Sequence, residues 1–173
     1  MQRERGFTLI ELVVVVIAVG ILAGVALDRL LPLVGRAQHA AFIQVEADLQ
    51  SALLLEAADR ITRGEANTLA ALALGNPMAL LLRAPANYMG SLRQPESETV
   101  PRASWYFDEE RGRLVYRVGR YTRFESLDGP SDRIELRVAF VYTDRDGNGE
   151  YDAGRDRFDG LRLEPAEPFS WED

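Results

Sequence analysis

The sequence predicts an α+β protein: a long N-terminal helix, membrane-spanning in its first half, packed on a small antiparallel β-sheet. Three observations predict it. An apolar run with a single charge extends from Phe7 to Leu27. Apolar residues then recur at three- and four-residue steps as far as Ile61. The last third of the chain holds short runs of alternating apolar and polar residues, separated by turn residues.

Met1 to Gly6 form a polar leader carrying Arg3, Glu4 and Arg5, weakly positive and suited to the cytoplasmic side. The 21 residues from Phe7 to Leu27 follow. At about 1.5 Å per residue they span roughly 30 Å, the thickness of a bilayer's hydrocarbon core. Glu11 is the one charge inside this run. A charge in lipid costs at least a few kcal/mol, so its presence points to function. Gly20 and Gly24 form a small-x-x-x-small pair that permits close helix packing. Asp28 and Arg29 mark the interface. Pro32 removes one helical hydrogen bond and predicts a bend, with Gly35 soon after.

Beyond the membrane, Phe42, Val45, Leu49, Leu53, Ala57 and Ile61 make one buried stripe, with Gln44, Glu46, Asp48 and Gln50 between them. Arg60 and Arg63 suit the negative end of the helix dipole, and Gly64 is the stop. Two short helices are predicted between Asn67 and Leu82. One covers Thr68 to Leu74, and Asn76-Pro77 reads as N-cap and first position of the other. Ala84 to Pro101, with Pro85, Gly90, Pro95 and Glu96-Ser97-Glu98, reads as a connecting loop. Strands are expected at Trp105–Phe107 and Leu114–Val118, around a turn at Glu110-Arg111-Gly112. Tyr121–Phe124 is a further candidate. Ile134–Tyr142 carries the strongest alternation. The domain organisation is a leader at 1–6, a helix at 7–64 with its transmembrane part at about 7–27, and an extracytoplasmic α+β domain at 65–173.

The small residue of an ordinary secretory cleavage site follows the apolar region. Here the obvious small residue, Gly6, precedes it. Gly6-Phe7-Thr8-Leu9-Ile10-Glu11-Leu12 resembles the prepilin signal of the type IV pilin and type II secretion pseudopilin superfamily, over roughly the first 30 residues. The resemblance implies a pilin-like fold and a structural subunit of a type IV pilus-like or type II secretion pseudopilus filament. It implies a prepilin peptidase cutting between Gly6 and Phe7 and methylating the new amine of Phe7. It implies that Glu11 meets the Phe7 ammonium of a neighbouring subunit during assembly. An unpaired carboxylate in lipid is costly and a paired one much less so, which agrees with that role. Partners would be other pilin or pseudopilin subunits, the peptidase and an inner-membrane assembly platform. The chain would sit in the bacterial inner membrane as a single-pass protein with its domain in the periplasm. A second hypothesis is a low-abundance minor pilin, a tip binding module for DNA, a surface or an exported substrate.

The net charge is −7, and loss of residues 1–6 makes the chain more acidic still. General nucleic-acid binding by long-range electrostatics is therefore disfavoured. Catalysis is disfavoured too: the single His39 falls on the long helix and there is no cysteine to join it. His39 reads as a surface or interface residue. Arg111, Arg113, Arg117, Arg120 and Arg123 make a locally basic strand region, read as a solvated face paired with nearby acids.

Many pilins close a C-terminal loop with a disulfide. This chain has no cysteine, so another device must hold that region. The run Asp144-Arg145-Asp146-Gly147-Asn148-Gly149-Glu150-Tyr151-Asp152 resembles the first nine positions of an EF-hand loop. Asp144, Asp146, Asn148, the carbonyl of Glu150 and Asp152 fall at ligand positions. Arg155 stands where the bidentate Glu belongs, with Asp156 or Asp159 as replacements. Two readings stay open. One is a calcium site on Asp144, Asp146, Asn148, Glu150, Asp152 and Asp156. The other is a metal-free turn in which Arg145, Arg155 and Arg157 offset the carboxylates. No cofactor is required by the first reading of the chain as a filament subunit.

Overall fold

The computed structural model describes residues 7–93, 95, 99–127 and 131–172. One helix, α1, runs from Leu9 to Thr62. It is joined by two 3₁₀ helices, Ala66–Ala73 and Pro77–Leu80, to seven strands. These are β1 (Tyr88–Leu92), β2 (Ser104–Asp108), β3 (Arg113–Arg117), β4 (Arg123–Ser126), β5 (Arg133–Thr143), β6 (Arg157–Pro165) and β7 (Phe169–Glu172). The main sheet has the order β1-β2-β3-β5-β6, and β4 pairs with β7 in a separate ribbon. The α+β, pilin-like layout of a long helix against a small sheet is therefore present. All pairs are antiparallel except β1 with β2, so the sheet is mixed at one edge.

Helix α1 begins where Thr8, in extended backbone, accepts a hydrogen bond from the Glu11 amide. It ends where Gly64 turns left-handed at φ 78°, letting Glu65 N–H reach the Arg60 carbonyl at 2.8 Å. It continues without a break through Pro32. Phe42, Leu49, Leu53 and Ala57 are buried as the stripe requires, and Val45 packs at its margin. Ile61 differs, being 48% exposed. In that last turn the side packed on the neighbouring 3₁₀ helix carries Arg60, whose guanidinium donates to the Thr68 carbonyl at 2.9 Å.

The core lies between this stripe and one sheet face. Phe42 stacks on Trp105 with ring centroids 5.2 Å apart, and Leu114, Ile134, Leu136 and Leu161 complete the floor. Strand β2 is buried on both faces, because Tyr106 points away from α1 into a small second cluster with Val100 and Val115. Gly112, at φ 62°, closes the β2–β3 turn. Asn76 caps the second 3₁₀ helix by accepting from Met78 N–H at 3.0 Å. Its amide donates to the Tyr88 hydroxyl at 2.7 Å and ties that helix to β1.

Three strands depart from the sequence expectation. β1 lies inside Ala84–Pro101, which reads as loop. It is a short edge strand whose register shifts between Tyr88 and Ser91 around Gly90, at φ 89°. β6 and β7 carry few buried apolar residues. The outer edge of β6 meets α1 instead of another strand. Gln50 donates to the Leu161 carbonyl at 2.8 Å and accepts from Leu163 N–H at 2.8 Å, so one side-chain amide serves as the next strand would.

Gln50→Leu removes both bonds while leaving a side chain of similar size. The expected outcome is a loss of about 1–3 kcal/mol, because a half-buried carbonyl and amide lose their partner. Chemical denaturation of the detergent-solubilised full chain measures it, and wild-type stability would refute the strand-mimicking role.

Candidate functional site

The N-terminal end of α1 is the first candidate. Its cap places Glu11 in the first helical turn, where a carboxylate interacts favourably with the helix dipole. Phe7 is 66% exposed and lies four residues, about one turn, before Glu11. No residue from Phe7 to Leu30 is buried against the rest of the chain. The helix is long and apolar enough to cross a membrane. Gly20 and Gly24 meet nothing within 4 Å, so their flat surface is free for a neighbouring helix. Gly6, the residue before the expected cut, lies outside the described residues, as do Arg3, Glu4 and Arg5 of the leader.

The acidic loop joining β5 to β6 is the second candidate. Asp144 accepts from Gly147 N–H at 2.6 Å and from Gly149 N–H at 2.9 Å. Both glycines have positive φ, which lets the chain wrap around that carboxylate. The bonds from Gly149 and then Gly147 hold the Asp144 pKa below the usual aspartate value of 3.8. Asp156 is 9% exposed and spans the loop: it accepts from Arg145 N–H at 2.9 Å and from Asp152 N–H at 2.8 Å. One oxygen each from Asp144, Asp146 and Asp156 lie within 4.8 Å of one another.

The other predicted ligands are occupied differently. Asn148 Oδ1 accepts from Glu150 N–H at 2.7 Å, and Asn148 Nδ2 donates to Asp152 Oδ2 at 3.0 Å. Arg155, at the twelfth position, donates to Asp146 Oδ2 at 3.3 Å. Asp159 accepts from the Thr143 hydroxyl at 2.6 Å and from Arg157 at 2.7 Å, which bolts the base of the hairpin. Those bonds, Thr143 first, lower its pKa as well. Three converging carboxylates fit a hard dication, with Arg155 partly offsetting their charge. The bridging role of Asp156 has only a faint trace in sequence, because it lies one place beyond the loop's usual last ligand.

The remaining polar residues divide. His39 is half-buried and stacks on Trp171 with centroids 4.8 Å apart, so it packs the C-terminal strand onto α1. Arg111 and Arg113 pair with Glu135, and Arg117 with Asp132. Among the described residues Arg120 and Arg123 make no ion pair, so only part of the basic strand region is a paired face.

Residues 1–27 match the family model described as the prokaryotic N-terminal methylation motif. This is the signal of type IV pilins and pseudopilins, and the long apolar helix fits it. The motif supports a membrane-anchored subunit of the pilin or pseudopilin kind. No curated protein and no solved structure matches the chain.

The lowered aspartate values fix the direction of an acid effect. A carboxylate with a depressed folded pKa contributes stability above its unfolded value, and that contribution is lost as pH falls through the folded one. The loop should therefore loosen only below the usual 3.8. Amide NMR shifts of Gly147 and Gly149 should move in that range in wild type and lose the transition in Asp144→Asn. A midpoint above 4 would contradict the geometry.

Proposed function

We propose that the chain is a structural subunit of a type IV pilus-like or type II secretion pseudopilus filament, made as a prepilin cut after Gly6 and methylated on Phe7. One observation carries this reading. The methylation motif opens a helix whose apolar half is covered by nothing in the chain and holds a single carboxylate one turn from the new N-terminus. In lipid that carboxylate needs a cation. Cleavage creates one on Phe7, and a neighbouring subunit can present it. Satisfying Glu11 then sets the axial register of each incoming subunit, while Gly20 and Gly24 allow close packing. The partners are like subunits, a prepilin peptidase and an inner-membrane platform, with the domain in the periplasm.

Intact-mass analysis of the mature protein should show an N-methylated chain starting at Phe7. Glu11→Ala should still be cut and membrane-bound, yet sheared filament yield should fall at least tenfold, because the unpaired Phe7 ammonium loses its partner in lipid. An uncut Met1 start in cells with active peptidase would sink the processing claim, and normal filament yield would sink the role of Glu11.

We further propose that Asp144, Asp146 and Asp156 hold calcium, with Asn148, the Glu150 carbonyl and Asp152 completing the shell. Support comes from the three oxygens within 4.8 Å of one another. A bound ion would fix the β5–β6 hairpin tip; it supplies charge and no chemistry. Calorimetry should detect binding that Asp144→Ala and Asp146→Ala abolish, and chelator should lower Tm. No heat and no chelator effect would leave a metal-free turn.

A further inference from the structure

The helix fixes the height of everything near the membrane. If Phe7 to Leu27 fill the hydrocarbon, the headgroup layer adds about 5–7 Å on that side, which places Asp28 to Pro32 among the headgroups. The domain begins at once. Gly35 is buried, and a Cβ there would run into the carbonyl oxygen of Tyr121. The segment from Gly119 to Arg123 therefore leans on α1 about one turn above the headgroups. A cleft between the two is lined by Asp28, Pro32 and Arg36 on the helix and by Tyr121 and Arg123 on the segment.

Four arginines cluster at this height. All 20 basic residues of the protein are arginine, the side chain whose planar fork suits phosphate. On the body of the domain most are paired: Arg113 with Glu135, Arg137 with Glu164, and Arg102 and Arg117 with Asp132. Arg29, Arg36, Arg120 and Arg123 are exposed and make no ion pair among the described residues. Arg29 and Arg36 are seven residues apart, hence on one helix face. Asp28 and Glu125 pair with none of the four, and Glu172 stands opposite Arg123 in the β4–β7 register. Tyr121, 52% exposed, sits between Arg120 and Arg123 with the amphipathic character of an interfacial aromatic. The acidic loop lies at the other end of β5, which starts opposite Arg117 and finishes at Thr143. An overall charge of −7 is thus unevenly spread, with four arginines gathered where the helix leaves the membrane.

We propose that Arg29, Arg36, Arg120 and Arg123, with Tyr121, form a collar that seats the domain on the anionic phospholipid headgroups around its own anchor. The guanidinium groups reach down to lipid phosphates at the top of the headgroup layer, and the Tyr121 ring lies against the headgroups beside them. The collar holds an unassembled subunit upright on the bilayer and is released when the helix is drawn into a filament. The inference rests on α1 being the membrane anchor.

The test uses the full chain, one copy per nanodisc, in phosphatidylcholine with or without phosphatidylglycerol. Amide exchange over Gly119–Arg123 is read by mass spectrometry. Exchange should slow several-fold in the anionic discs. The protection should drop by roughly fivefold per arginine in R120Q and R123Q, and salt should weaken it. Both side chains are exposed, and an unchanged Tm will show that the variants fold. Equal exchange in the two lipids overturns the collar. So does protection that appears only with several chains per disc, which would assign the arginines to a neighbouring subunit. Failure of the chain to insert would overturn the anchor reading itself, and is distinguished by flotation of the same sample.

Discussion

An apolar cylinder with nothing to cover it governs this protein. From Phe7 to Leu30 no side chain of α1 is buried within the chain. The domain cannot fold back over that surface, because α1 is one continuous helix whose second half is already the wall of the core. Two environments can take the cylinder, lipid and other such helices. Glu11 is the one charge between Phe7 and Leu27. It is tolerable in lipid only when neutralised, and its best partner is an ammonium held at the same depth. Under the filament role proposed above, such a pair would favour one register, because every wrong offset leaves two buried charges unpaired.

The same helix has to be read by the domain at its other end, and two small devices do so. Gly35 admits the Tyr121 carbonyl, so the β3–β4 connection rests directly on helix backbone. Gln50 answers the free edge of β6 through both Leu161 and Leu163. Each fixes where the sheet sits along α1, and each is intolerant of shift by a turn. The height of the domain above the membrane is therefore set by backbone contacts as well as by side-chain packing. That rigidity is what allows surface arginines near Gly35 to meet the headgroup layer.

Local periodicity was legible in the sequence and long-range pairing was not. The stripe from Phe42 to Ala57, the Asn76 cap and the alternation of β5 each depend on neighbours a few residues away, and each is present. β1, β6 and β7 depend on partners across the fold. β6 carries Arg157, Asp159, Arg162 and Glu164, as an edge strand in contact with solvent should, and so shows little apolar signal. Gln50 sits 111 residues from Leu161 and looks like one more polar residue on an exposed helix face. In the acidic loop the ligand spacing from Asp144 to Asp152 could be read from the sequence, but the wrapping of Asp144 by Gly147 and Gly149 could not. Nor could the bridging by Asp156, because a position one residue outside a known spacing carries no rule.

The absence of cysteine raised the question of what holds the C-terminus, and the answer is not the acidic loop. That loop closes the β5–β6 hairpin. The chain's last strand is held elsewhere, by pairing with β4 and by Trp171. This one ring lies 4.8 Å from His39, 5.4 Å from Phe42 and 6.0 Å from Tyr116 and from Phe124, so it touches α1, β3 and β4 together. A disulfide joins two points and acts mainly on the unfolded chain. An aromatic wedge joins three elements and acts by burial in the folded one. It also couples the C-terminus to the helix just above the membrane collar, because His39 and Phe42 follow Gly35 by one and two turns. The acidic loop and the segment that leans on Gly35 thus lie at opposite ends of β5, and a change at one need not reach the other.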